Sequence, residues 1–248
     1  MTKTVAIHQP NFLPWLGYFD KMLRADVFIV MDNAQYVKSG GTWSNRVKAM
    51  ISGEPRWLTM PIVRNYHGLR TYGEIEIDDT GNWRTKAIKS LQAAYARTPH
   101  FREVMPLVES LLVHPTRSLV ELNVNAALQI LQAIGLAPRQ IVFGSTLTCT
   151  GQATDLLIEM VRAVGGTTYL CGGGAEGYQE DDKFATAGLK LQYQSFRHPE
   201  YPQRTGVPFA PGLSIVDALF WCGWAGTADL LQHRIVGENN AEESRHAA

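Results

Sequence analysis

The chain has 248 residues, 45% of them hydrophobic and 19% charged, with 23 Lys plus Arg against 23 Asp plus Glu. This is the make-up of a soluble globular protein of one domain, or one domain with a subdomain, with enough chain to bury a sizeable core. The balanced charge gives no global field to hold nucleic acid or an anionic membrane surface, and no run reaches the roughly 18 apolar residues of a spanning helix.

The three cysteines, Cys149, Cys171 and Cys222, are odd in number and lack CxxC spacing. With no signal pattern at the amino terminus, a reduced, cytoplasmic setting is expected. The histidines show neither HExxH nor paired metal spacing, so no metal site is expected.

In chain order, Val5-Ala6-Ile7 suits a short buried strand. Gln9 to Pro14 cannot be helix, because two prolines fix φ and restrict the residues before them. Trp15 to Ala25 carries Trp15, Leu16, Phe19, Met22 and Leu23 on one helical face. Val27 to Val30 is a second apolar run, suited to a parallel strand buried on both sides. Two parallel strands joined by a crossover helix put the intervening loop at the carboxyl edge of the sheet, where open α/β sheets bind ligands. His8, Gln9, Asn11, Asp32, Asn33 and Gln35 are therefore expected to converge there, with His8 and Asp32 as the catalytic candidates.

Residues 43–78 read as an antiparallel insertion over that loop. Trp43–Ile51 and Arg56–Val63 form a hairpin about a turn at Ser52-Gly53-Glu54-Pro55, Pro61 marks an edge or an end, and Glu74–Asp78 alternates as a half-wet strand. Residues 81–135 read as a helical block that serves as scaffold: Trp83–Arg97, Phe101–Leu112 with Pro106 kinking or breaking it, and Ser118–Ile134.

The α/β rhythm resumes with a strand at Ile141–Ser145, a helix at Gln152–Val164 and a strand at Thr167–Cys171 that opens into a glycine-rich loop. A short helix ending at Phe184–Ala187, a strand at Leu189–Phe196 and a Pro-rich loop at His198–Gly212 follow. Helices at Ser214–Trp221 and Thr227–Arg234 close a single domain of residues 1–236, and residues 237–248 read as a fraying, disordered tail. No internal repeat or linker interrupts it. The fold class is α/β, a parallel sheet flanked by helices, nucleotidylyltransferase- or Rossmann-like, with the antiparallel insertion and the helical segment.

Several residues suit chemistry, each with a plain structural alternative. His8 at a strand end can touch a phosphate or act in acid–base catalysis, or simply hydrogen-bond its turn. Gly172, Gly173 and Gly174 can offer backbone donors to an anion, or form a flexible turn; they match neither GxGxxG nor a P-loop. Asn45 and Arg46 can cover a substrate, and Arg46, Lys48, Arg64 and Arg70 can form an anion clamp or a solvated face. Cys171 beside the glycine loop can serve acyl transfer, or be a buried small hydrophobe. His198, Glu200 and Tyr201 can project polar groups from a stiff loop.

The motifs IHQPNFLPWLGYFDKM, ADVFIVMDNAQY, WSNRVK at Trp43–Lys48, RWLTMPI at Arg56–Ile62, HPEYPQ at His198–Gln203 and PGLSIVDALFWCG at Pro211–Gly223 together resemble the WbqC-like protein family. That resemblance implies a setting in bacterial surface-polysaccharide or natural-product biosynthesis, with a small-molecule substrate and other biosynthetic enzymes as partners. The opening also resembles the nucleotidylyltransferase superfamily, whose HxGH motif contacts ATP. The corresponding Trp15-Leu16-Gly17-Tyr18 keeps only the glycine, so the cofactor is left open, with ATP the one this likeness brings into view. The expected activity is group transfer or amide-forming ligation on a nucleotide- or phosphate-bearing molecule. The alternatives are a non-catalytic assembly partner and Cys171-dependent acyl transfer.

Overall fold

The computed structural model describes residues 2–38, 42–173, 179–203, 206 and 208–246, with the backbone alone for 233–246. A five-stranded, wholly parallel sheet organises it, formed by β1 (Thr4–His8), β2 (Val27–Val30), β5 (Ile141–Phe143), β6 (Thr168–Cys171) and β7 (Lys190–Tyr193) in the spatial order β5-β2-β1-β6-β7. A separate antiparallel hairpin pairs β3 (Arg46–Ile51) with β4 (Glu54–Thr59). The helices are α1 (Leu16–Arg24), α2 (Trp83–Tyr95), α3 (Phe101–Leu112), α4 (Leu119–Ala133), α5 (Ala153–Ala163), α6 (Asp181–Thr186) and α7 (Ile215–His246). This is the α/β class that the sequence predicts.

Alternation along the strands divides the core. Val5, Ile7, Val27, Ile29, Tyr169 and Cys171 pack towards α5 and α6, while Ala6, Phe28, Val30 and Leu170 pack towards α1, the hairpin and the helical block. All four residues of β2 are fully buried, which fits a central strand covered on both faces. Each large apolar side chain so placed contributes about 1.5–3 kcal/mol relative to exposure.

Local signals account for most boundaries. Ser52 (φ 56°) and Gly53 (φ 83°) form the two-residue hairpin turn whose backbone twist matches paired strands. The Ser118 side chain accepts from the Glu121 amide and caps α4.

Two expectations are corrected. Glu74–Asp78 is not a strand: Tyr72–Glu74 is a 3₁₀ turn, and only isolated bridges, Ile62 with Ile77 and Glu76 with Ser118, follow it. Ile75 and Ile77 are buried as alternation requires, but pairing with the chain around Pro61 is confined to two bonds about the Ile62–Ile77 bridge, Val63 amide to Glu76 carbonyl (2.9 Å) and Asp78 amide to Pro61 carbonyl (3.0 Å). Pro106 neither breaks nor ends α3. Its ring and Arg102, whose carbonyl loses a donor, both lie on the exposed side where water replaces the bond. The two terminal helices stand as expected: the run Ile215–His246 is two helices divided at Gly223, whose φ of 67° and ψ of −170° are not helical and are accessible to glycine alone.

The helical block does hold the site. Asn123 of α4 is buried, and its amide nitrogen donates to the carbonyls of Pro10 (3.0 Å) and Ser44 (2.7 Å). Asn123→Leu keeps the volume and removes both donors. It should cost about 1–3 kcal/mol for each carbonyl left buried and unpaired, read as a lowered urea midpoint with unchanged slope; a loss below about 0.5 kcal/mol would contradict the assignment.

Candidate functional site

The loop from Gln9 to Trp15 is built by donors from outside it. Besides Asn123, the Ser214 hydroxyl donates to the Leu13 carbonyl (2.7 Å), the Ile215 amide to Pro14 (2.8 Å), and the Phe12 amide donates to Trp43 of the hairpin (2.9 Å). Leu13 is held at φ 40°, a left-handed conformation uncommon for a branched residue.

A cavity of about 850 Å³ opens beside this loop. It lies at the carboxyl ends of β1, β6 and β7, lined by His8 and Gln9 from the first, Gly172 and Gly173 from the second, and Gln194, Ser195 and Phe196 from the third. The chain places β2 on one side of β1 and β6 on the other, so this is the topological switch point of the sheet. Open α/β sheets take ligands in that crevice. The first residues of α5, Ala153 and Thr154, close the far wall. Ala153 and Ser195 both sit at φ 48°, backbone strain of about 1–3 kcal/mol each that concentrates on the cavity border.

Among the described residues, charge inside the cavity is one-sided. Lys21 rises from α1 and is buried, and its Nζ donates to the Ile7 carbonyl at 2.9 Å. Burial lowers its pKa to about 8, with the nearby Cys171 sulfur acting against the fall. No carboxylate lines the cavity among the described residues. The Asp20 carboxylate on the same helix is taken by the Gln194 amide (2.7 Å) and by Arg24 (3.6 Å).

His8 stands next to this amine. Burial first, and the Lys21 charge second, lower its pKa to about 3 against the pull of the Gln9 carbonyl. The imidazole is therefore neutral at pH 7 and is a hydrogen-bond acceptor there, not an acid. Its Nδ1 lies 3.0 Å from the Gln9 carbonyl, which only accepts, so Nδ1 carries the hydrogen and Nε2 keeps its lone pair. The Tyr18 ring packs edge-on at 5.0 Å and fixes the ring plane.

Comparison with known proteins bears on this geometry. The sequence profile of the WbqC-like protein family matches residues 9–229, which takes in the loop, the hairpin, the helical block and the second half of the sheet. The chain belongs to the WbqC-like protein family. It is also similar to a protein of Mycobacterium tuberculosis (strain ATCC 25618 / H37Rv) named "Uncharacterized protein Rv1507c". The two are 29% identical over 235 residues, which cover 93% of this chain and 98% of that protein. No solved structure matches.

In this WbqC-like chain the cavity gathers His8, Gln9, Asn11, Gly172, Gly173 and His198. Gly174 lies outside the described residues. Five expected members are elsewhere, Asn33 among them, beside Gly144. Asp32 does not share the mouth with His8: its carboxylate accepts from the Ser145 amide (2.8 Å) and hydroxyl (2.6 Å), and it borders a separate cavity of about 420 Å³. The cause is register. Val30 pairs with Phe143 on β5, so two residues on, Asp32 meets Ser145, on the side of β2 away from β6. Gln35 is exposed and bridges Thr71 through its backbone. Asn45 is buried between Tyr36, Thr42 and Met60, which use its amide for the hairpin base. Arg46 lies over the Trp57 ring at 4.2 Å.

The anion clamp also disperses. Lys48 stays by Trp57, Arg64 donates to the Lys38 carbonyl, and Arg70 pairs with Glu74 (3.0 Å). The Cys171 thiol is fully buried, is pushed up by that burial, and touches the Gln192 carbonyl and Gln179, so it does not face the cavity as a nucleophile. Among the described residues no helix is long and apolar enough to cross a membrane, and no three His, Cys, Asp or Glu side chains are grouped to hold a metal ion.

Sequence reasoning missed Lys21, Trp43, Gln179 and Gln194. For Lys21 helical periodicity gives no signal, because position 21 falls off the apolar stripe of α1.

His8 titrates near 6.5 when unfolded and about 3 when folded, so the unfolded chain binds the extra proton between those values. Its destabilising contribution is absent above 6.5 and grows as pH falls towards 3. His8→Gln should flatten that limb of the stability–pH curve in urea titrations from about pH 7 to pH 4. An unchanged slope would contradict a buried neutral imidazole.

Proposed function

We propose that this protein is an enzyme of bacterial surface-polysaccharide or specialised-metabolite biosynthesis, carrying out group transfer or amide-forming ligation on a small molecule activated by a phosphate group. The observation that carries the reading is Lys21, an ammonium at a cavity wall that no carboxylate shares among the described residues. A buried cation in low dielectric strongly favours an anionic ligand, which supplies a counter-charge that no described residue lining the cavity provides. Gly172 and Gly173 support it. An added Cβ at either would meet nothing within 4 Å among the described residues, and its absence leaves backbone open to a ligand.

In this reading Lys21 binds the anionic group and stabilises charge that develops on the leaving oxygen. His8 Nε2 accepts a hydrogen bond from the attacking hydroxyl or amine and orients it. The anion offsets the Lys21 charge that helps hold the imidazole low, so binding makes His8 a better proton acceptor. Gln9 and Asn11 orient the substrate. The biosynthetic setting rests on the family.

Inorganic pyrophosphate is a direct probe. At roughly 100-fold saturation it should stabilise the wild type by about 2.7 kcal/mol in thermal unfolding. Lys21→Met should abolish that shift yet melt higher than the wild type without ligand, because the desolvation penalty is removed. The penalty is fully present below the folded pKa of about 8 and fades as pH rises to the unfolded value of 10.5, so the advantage of Lys21→Met should fade over the same interval. Pyrophosphate binding should weaken as pH passes about 8. A Lys21→Met protein that still binds pyrophosphate would overturn the reading.

A further inference from the structure

The mouth of the cavity carries a feature the catalytic reading does not use. The chain has six tryptophans, and two of them, Trp43 and Trp57, are 41% exposed and pack against each other at 5.3 Å, edge to face. Their roles differ. Trp57 is covered by the Arg46 guanidinium at 4.2 Å and approached by the Lys48 ammonium at 5.4 Å, which occupies it with cation–π contacts. Trp43 has no such cover among the described residues and lines the cavity. Its position is fixed from behind by Trp57 and from the backbone by the Phe12 amide. A large aromatic surface left in water at the rim of a pocket, on a rigid support, is a stacking platform.

From this arrangement, and resting on the anion reading above, we infer that the ligand is a nucleotide, its base stacked on Trp43 at the mouth and its phosphates directed to Lys21. Three observations favour a base. The platform is an indole, and stacking on aromatic side chains accepts every base through its π-face. The loop bonded to Trp43 carries Gln9 and Asn11 into the same cavity, and a carboxamide sets a donor beside an acceptor, the pattern on base edges. The cavity, at about 850 Å³, falls in the range that holds a ligand of nucleotide size.

Calorimetric titration of the full chain with inorganic pyrophosphate, adenosine diphosphate, uridine diphosphate and glucose 1-phosphate tests this. The nucleoside diphosphates should bind more tightly than pyrophosphate, by about 5- to 150-fold for one stacked base. Trp43→Ala should erase that gain and leave pyrophosphate affinity unchanged, whereas Trp43→Tyr should keep most of it. Trp43 is exposed, so both variants should fold, as circular dichroism checks. Nucleoside diphosphates no tighter than pyrophosphate, or a gain that survives Trp43→Ala, would overturn the proposal. So would a gain of equal size and equal Trp43 dependence for glucose 1-phosphate, which would assign the platform to a sugar ring. Adenosine separates the two readings. If pyrophosphate fails to bind while adenosine binds in a Trp43-dependent way, the anion reading falls and the stacking platform stands.

Discussion

The site depends on how a proline-bearing loop satisfies its backbone. Gln9 to Trp15 carries Pro10 and Pro14, which have no N–H, so the segment holds more carbonyls than donors. It is also buried, with Asn11, Phe12 and Leu13 all below 5% exposed, so water is not available to them. Unpaired carbonyls there would each cost about as much as a lost hydrogen bond. Asn123 of α4, Ser214 and Ile215 at the start of α7 supply the missing donors. The helical block is thus scaffold in a specific sense: it completes the bonding of the loop that presents Gln9 and Asn11.

A second tie acts from the far end of the chain. Asp217 of α7 is buried and accepts from Tyr95 of α2 (2.7 Å), from Tyr201 (2.8 Å) and from Gln203 (3.1 Å) of the Pro-rich loop. Burial pushes its carboxyl up, and the three donors oppose that. The Tyr95 hydroxyl in turn accepts from the Met50 amide of β3 (2.9 Å), so one network joins helix, hairpin and loop. His198 hangs from that same loop, with its ring against Trp15 (5.4 Å) and Phe196 (5.1 Å).

Much of this was legible in the sequence, and the failures have one cause. Apolar runs gave β1, β2 and β6, because a strand covered on both faces needs no polar alternation. The proline-flanked loop gave Gln9 and Asn11, and the strand-end glycines gave Gly172 and Gly173. What a single chain does not write down is the order of strands. Ala6 pairs with Leu170, so two residues on, His8 lies beside Gly172, whereas Asp32 meets Ser145 on the opposite side of β2. A carboxylate and an imidazole at neighbouring strand ends are thereby turned to different cavities. Lys21 was hidden for a related reason: helical periodicity marks the stripe packed on the core, and Lys21 lies off that stripe yet is buried, with its ammonium at the Ile7 carbonyl.

The buried ammonium also bears on why the fold keeps an arrangement that weakens it. Lys21 donates a hydrogen bond to the Ile7 carbonyl, and its lowered pKa means that folding works against its charge. The same charge presses on His8, and strained backbone at Ala153 and Ser195 adds to the load on the same cavity. The two apolar cores, with side chains such as Phe12, Phe19, Phe28 and Phe184 wholly buried, can bear these costs without requiring them. Packing alone would be better served by an apolar residue at position 21 and by relaxed turns. Perturbed titratable groups and backbone outliers that coincide at one concave crevice, with no carboxylate lining it among the described residues, are the pattern of a site whose ligand supplies what folding gives up.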